Sequence, residues 1–393
     1  MKKKIAYTLA IICSVLYIYI GNLIATEHLT VFDRASQEQI QKAVVTKILD
    51  RTSAQQNIAG TQYNQGVIIR FEAKFLNGEY KGQTILALQN SDPTMPAQVK
   101  DIEAGDKILL VNSGDSISGE IEWTVADYLR SDALLVLMII FFCLVLLFGR
   151  IKGINTILSL IFTCMAIFMV YIPAILSGRN VYSWSVITCI FIIVMTMLIL
   201  NGITQKSLAA GLGCASGIIV TGVITIIMDH IIQLTGLVDE NSYYLLFLNQ
   251  DNPIDLKGVV FGAIIIGAIG AIMDISMDIT ASLHVIASEI ESPTFTILVK
   301  SGLTIGRDIL GTMCNTLILA YIGSSLSLVL LLAAYNNSLL HLFNREMIVV
   351  EILQALVGSI GILFTIPLTS IICGVLYSRM DLKGTANNQP NKV

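Results

Sequence analysis

The feature that most constrains this chain is a series of apolar stretches, each about as long as a bilayer is thick. They cover residues 5–24, 133–148, 154–175, 181–200, 208–234, 259–279, 309–334 and 348–377. At 1.5 Å per helical residue, each can cross a hydrocarbon core of about 30 Å. Only 13% of residues are charged and 54% are hydrophobic, against roughly a quarter charged in soluble domains. A water-soluble fold of this size could not cover its surface with so few charges. The expected fold class is an α-helical polytopic membrane protein of about eight transmembrane helices.

The charges are unevenly placed. Of 24 Lys+Arg and 28 Asp+Glu, 10 and 14 fall within residues 25–130. A small extracytoplasmic β-barrel-like domain is therefore expected after the first helix. The division is an N-terminal anchor over 1–25, an extracytoplasmic β-rich domain over 26–131, a seven-helix domain over 132–380 and a cytoplasmic tail over 381–393. The first run follows a basic N-terminus and lacks an A-x-A-like cleavage site, so it reads as an anchor rather than a signal peptide. Orientation follows from basic residues in short loops. Lys2, Lys3, Lys4, Arg150, Lys152, Lys206, Lys300, Arg307, Arg379 and Lys383 share one side, whereas Arg179, Lys257 and Arg345 lie on the other. Both termini are then cytoplasmic and 26–131 lies outside.

Within the insert, Val67, Ile69, Phe71, Ala73 and Phe75 alternate with more polar neighbours, a strand period. Asn77-Gly78 is a hairpin signal, with a return strand over 83–88. Further strands are expected at 107–111, 44–48 and 117–123, in an OB-like or SH3-like barrel. Fold alone does not give such a domain a ligand.

All seven cysteines, at 13, 143, 164, 189, 214, 314 and 373, fall in apolar runs, with no disulfide framework or zinc spacing. No G-x-S-x-G, H-E-x-x-H or Walker loop occurs. The sequence points away from an enzyme, and no cofactor or metal is expected. The net charge of −4 gives nucleic acid no footing.

Candidate functional residues are the ionisable groups within apolar runs, which are costly there. Asp274 and Asp278 stand at i,i+4, so they share a helical face about 6 Å apart. Two carboxylates that close repel in a poorly solvated site. One is expected to keep a proton, or the pair holds a hard cation. The competing reading is that Asp278 marks only the cytoplasmic interface. On the next run, Asp308, Thr312 and Asn315 are at i, i+4 and i+7, one face at the same depth, with Arg307 placed to offset charge. Asp308 also suits a helix N-terminus. Ser292-Pro293 reads as an N-cap followed by proline at the first helical position, opening a short interfacial helix broken at Gly302.

Two stripes of small residues, Ala263, Gly267 and Ala271, and Ala209, Gly213 and Gly217, recur every four positions and read as matching packing faces. Asp229-His230 lies toward the outer end of its span and His284 toward the cytoplasm, each reading as interfacial. Pro173 and Pro367 are positioned to kink their helices. The acidic loop 238–257 has an apolar centre suited to the outer interface.

Two runs carry a resemblance: Gly270-Ala271-Ile272-Met273-Asp274-Ile275-Ser276-Met277-Asp278-Ile279-Thr280-Ala281-Ser282-Leu283-His284, and the stretch 301–321 containing Gly306-Arg307-Asp308-Ile309-Leu310-Gly311-Thr312. Together with Gly78-Glu79-Tyr80-Lys81-Gly82 in the insert, they resemble the YibE/F-like family. That resemblance implies a bacterial multi-pass membrane protein and leaves its activity open. The arrangement of a helix, an external domain and an Asp-bearing bundle is also similar to the SecD/SecF secretion subunits and the resistance-nodulation-division exporters. The departures are two extra spans, a smaller insert and the seven-residue step from Asp308 to Asn315. The expected function is a proton- or cation-coupled transporter or export-accessory protein. The alternatives are a membrane scaffold whose external domain binds an envelope component or partner, or a subunit of a hetero-oligomeric complex. Expected partners are the lipid bilayer and a paralogous membrane subunit or second copy.

Overall fold

The structure is a computed structural model that describes residues 2–27, 40–58, 61–78, 80–91, 100–112, 123–248, 253–290, 292–334 and 338–378. The chain forms two compact units, one spanning Asp33–Leu144 and the other Met1–Phe32 with Val145–Val393.

The smaller unit is a closed barrel of β1 (Ile40–Ile58), β2 (Thr61–Phe75), β3 (Thr84–Ser91), β4 (Lys107–Asn112) and β5 (Trp123–Tyr128), in the order β1-β2-β3-β5-β4. Every neighbouring pair is antiparallel except β3 with β5. Strand number and closure are OB-like. The alternation of β2 sets the interior: Ile69, Phe71, Ala73 and Phe75 are buried. Trp123 stands edge-on to Phe75 with ring centroids 5.0 Å apart. Buried Gln89 ties in the segment before β4: its Nε2 donates to the Lys100 carbonyl (2.9 Å), and its Oε1 accepts from the Ile102 N–H (3.0 Å). At the expected hairpin, Gly78 takes φ +75°, and Asn77 Oδ1 accepts from the Lys42 N–H at 2.9 Å. The last strand starts at Trp123, so the expected strand at 117–123 falls mostly outside the described residues. The β1–β2 ladder runs on to Ile58↔Thr61, whereas β3 stops opposite Val67. Beyond Val67 the hairpin therefore pairs only with itself among the described residues.

Tyr128 closes the barrel with its hydroxyl, which faces the carbonyls of Lys100 (3.2 Å) and Asp101 (3.1 Å) and Asp106 Oδ2 (3.2 Å). Burial, followed by the charges of Asp106, Glu103 and Asp101, pushes this phenol up to about 12. An unfolded tyrosine ionises near 10, so the folded state holds the proton more tightly. Its contribution is present below pH ~10 and is lost as the pH rises toward ~12. Tyr128→Phe should cost about 1 kcal/mol at neutral pH. It should also flatten the alkaline part of the melting-temperature profile, followed by near-ultraviolet circular dichroism.

The larger unit is helical: α1 (Lys2–Thr26), α2 (Ser131–Met165), α3 (Ile172–Leu176), α4 (Val181–Asn201), α5 (Gln205–Ile232), α6 (Glu240–Leu248), α7 (Leu256–Glu289), α8 (Phe295–Ser324), α9 (Leu326–Ala334), α10 (Leu339–Leu342) and α11 (Glu346–Ser378). The first residues of α2 belong to the smaller unit. Four helices start on a side chain that accepts a backbone N–H three residues on: Asn180 for α4, Thr204 for α5, Asp255 for α7 and Thr294 for α8.

Among the described residues, six helical stretches are long and apolar enough to cross a membrane. One of them, Ser131–Leu176, has 46 residues and takes in two of the runs separated in the sequence. Arg150, at φ 49° and ψ −127°, breaks it, and a widened π-type turn over Ala166–Tyr171 precedes Pro173. α8 is not among the six, because Lys300, Arg307 and Asp308 interrupt its hydropathy.

One expectation is corrected here. The short helix ending at Gly302 does not form, and α8 runs unbroken from Phe295 to Ser324, capped by Thr294 rather than Ser292. Gly302 serves close approach instead. A Cβ there would meet Ser370 Cβ at 2.8 Å and Leu283 Cδ1 at 3.0 Å.

Candidate functional site

α5, α7 and α11 form the core of the helical unit. α5 and α11 run antiparallel with Gly213 against Thr369, Gly217 against Thr365 and Thr221 against Gly361. Two of these threonines turn their hydroxyls onto a carbonyl of their own helix: Thr221 to Gly217 (2.9 Å) and Thr365 to Gly361 (2.7 Å). The polar atom is thereby satisfied inside an apolar interface. From α7, Ile272 wedges between the two glycine rows. Ser276 donates to the Ala210 carbonyl (2.7 Å) and accepts from Thr369 (3.3 Å).

The two small-residue stripes therefore have different surroundings. Ala209, Gly213 and Gly217 are buried, and the glycines meet α11 and the Ile272–Ser276 side of α7. The α7 stripe does not match them as expected: Ala263 and Gly267 are exposed and Ala271 is half-buried. The face of α7 that packs inward carries Gly262, Ile265, Ile272, Ser276 and Ile279. The bulky apolar residues on that side bury more surface than the stripe would. Gly267 is instead approached by Tyr321 of α8, 2.6 Å from where its Cβ would stand, and by Gln354 of α11 at 3.2 Å. Gln354 Nε2 also reaches the Ala263 carbonyl at 3.5 Å.

Asp274 and Asp278 continue this outward face of α7, and both are exposed. α8 packs mainly on α11 and along one edge on α7. Its buried residues Gly302, Gly306 and Leu317 are opposite Asp308, Thr312 and Asn315, which are exposed together with Arg307. The register between α7 and α8 is set by Leu283 against Gly302 and by the meeting of Ala268 and Leu317 at Gly358. Counting in opposite directions from these contacts puts Arg307 level with Asp278, Gly311 level with Asp274 and Asn315 level with Gly270. The structure thus brings the α7 and α8 groups to one layer on adjacent antiparallel helices. It leaves them open at the surface rather than enclosed. None of Asp274, Asp278, Arg307 and Asp308 forms an ion pair among the described residues. Thr312 turns its hydroxyl to the Ile309 carbonyl at 2.8 Å.

The sequence reading passed over Tyr321 and Gln354. Gln354 was visible as an amide inside an apolar run, but nothing local showed that it would end beside Gly267. His284 packs edge-on to Tyr377 with centroids 5.5 Å apart. No group of three or more His, Cys, Asp or Glu among the described residues could hold a metal ion.

A β-barrel joined to a bundle of long apolar helices, with a charged layer on two adjacent helices, defines the class of protein. The family model for YibE/F-like protein matches residues 137–379. That is more than half of the chain, and the chain belongs to the YibE/F-like family. The match contains α7, α8 and α11 and lies outside the five strands. No curated protein and no solved structure matches the chain.

Proposed function

We propose that this protein is a multi-pass bacterial membrane protein, with both termini cytoplasmic and the barrel outside, that works as a proton- or cation-coupled transporter or export-accessory protein. The observation that carries this reading is the unpaired charge layer on α7 and α8. A helix as apolar as α7 gains nothing for stability from two exposed carboxylates in its inner half, so their presence there favours a functional role. Asp274 and Asp278 act as the coupling pair, able to share a proton or hold a cation through oxygen. Asp308, Thr312 and Asn315 supply the polar face opposite, and Arg307 adjusts its charge. Because this layer is open at the surface, a lipid bilayer alone is a poor cover for it. A second copy or a paralogous subunit is the natural partner.

A second reading has its own observation. The β1–β2 arm extends past β3, and unpaired strand edges are templates for added strands. A scaffold that binds a partner through this arm needs the barrel and not the aspartates. Deleting residues 30–128 should abolish complementation of a knockout under the scaffold reading and leave Asp274→Asn fully active. The transporter reading requires Asp274→Asn to lose function in a stably expressed protein. Full complementation by that variant would remove the coupling role.

A further inference from the structure

A different part of the helical unit holds a small cavity, apolar over most of its wall but with four polar side chains in its lining, that the charge layer does not use. Three capped or closed helix ends build it. α4 begins just after Asn180, which accepts from the Ser183 N–H at 3.0 Å. α7 begins just after Asp255, which accepts from the Gly258 N–H at 3.1 Å. α5 ends at Gln233, in the left-handed conformation, with its N–H on the Asp229 carbonyl. The cavity between these ends has a volume of about 110 Å³, and its polar lining is Tyr182, Thr225, Asp229 and Lys257.

The hydrogen-bond inventory of these four is informative. Thr225 gives its proton to the Thr221 carbonyl at 2.8 Å. Asp229 Oδ1 is buried and has no hydrogen-bond partner among the described residues. Neither Asp229 nor Lys257 forms an ion pair among the described residues. An aspartate and a lysine of different helices therefore line one cavity without forming an ion pair. The helix ends reinforce this polarity. Asp229 stands in the last turn of α5, where the dipole favours a cation. Lys257 stands in the first turn of α7, where it favours an anion. The remaining wall is apolar, with Phe261 against Tyr182 at a ring-centroid distance of 4.8 Å.

We propose that this cavity binds a small zwitterion of the amino-acid type, no larger than glycine or alanine. Its ammonium group donates to Asp229, and its carboxylate accepts from Lys257 and the Tyr182 hydroxyl. A plain cation would meet the repulsion of Lys257, and a plain anion that of Asp229. A branched side chain would overfill a cavity of about 110 Å³.

The test is equilibrium binding of radiolabelled glycine and alanine to the detergent-solubilised full-length protein. The expected result is saturable binding at one site per chain. Each of the two amino acids should compete with the other, and leucine, methylammonium and acetate should compete poorly. Asp229→Asn and Lys257→Gln should each weaken binding by about tenfold or more, the effect of losing one charge-assisted contact. Lys257 is exposed, so its variant keeps the fold even if the Asp229 variant does not. Absence of saturable binding to the wild-type protein at millimolar concentrations would overturn the proposal. So would competition by methylammonium equal to that by glycine, or unchanged binding in the Lys257 variant.

Discussion

Asp274→Asn is expected to abolish coupled transport while leaving the protein folded. Its side chain is exposed on the outward face of α7 and makes no ion pair among the described residues. The amide has almost the same shape, so no packing is lost and no buried partner is stranded. What is lost is the ability to take up and release a proton, or to hold a cation by a full charge. One elementary charge moved through 100 mV is worth about 2.3 kcal/mol, roughly a fiftyfold gradient. That gradient should vanish in the variant. The measurement is potential-driven proton uptake into proteoliposomes, with complementation of a knockout strain as the cellular readout. Asp278→Asn should act in the same direction, because the two carboxylates stand one turn apart on the same exposed face of α7. Unchanged proton uptake in Asp274→Asn, at equal protein per vesicle, would remove the coupling role.

The residues involved show which parts of such a structure a sequence can display. Strand β2 was legible because alternation of Ile69, Phe71, Ala73 and Phe75 is a local property with period 2. The barrel order was not, since the parallel meeting of β3 and β5 depends on contacts between distant segments. Asp274, Asp278 and Asp308 stood out because charge is scarce in apolar runs. Whether they would be enclosed or open depended on how α8 turns on α11. Glycine was the most ambiguous letter. Gly302 read as a helix break, but a helical glycine also marks a place where another helix comes close. Only the position of Ser370 on a distant helix decides between the two. The stripe at Gly213 and Gly217 is legible as a row of small residues, whereas the helix it meets, α11, is not. Its true counterpart mixes glycine with threonine, a pattern that a search for small residues on α7 could not reveal.

That counterpart makes the second large prediction. Gly217→Ala should destabilise the helical unit by about 1–3 kcal/mol, the usual cost of overpacking a filled core. The added Cβ would overlap Thr365 Oγ1 and approach Ile272 Cγ2 at 3.0 Å. Thr365 is held in place by its own bond to the Gly361 carbonyl, and Ile272 is fully buried, so neither side can yield cheaply. Gly361→Ala should behave alike, since its Cβ would overlap Thr221 Oγ1 and approach Ile272 Cδ1 at 3.1 Å. Thermal unfolding in detergent measures both. Two controls separate this steric account from a general preference for glycine. Gly270→Ala and Gly311→Ala add a methyl group where nothing lies within 4 Å, and they should be neutral or slightly stabilising because alanine favours the helix. Thr365→Ala combined with Gly217→Ala should recover part of the loss, a coupling of about 1 kcal/mol between contacting sites. If all four glycine variants melted alike, the interlocked Gly–Thr rows would not be what holds α5, α7 and α11 together, and the charge layer would have to be supported in another way.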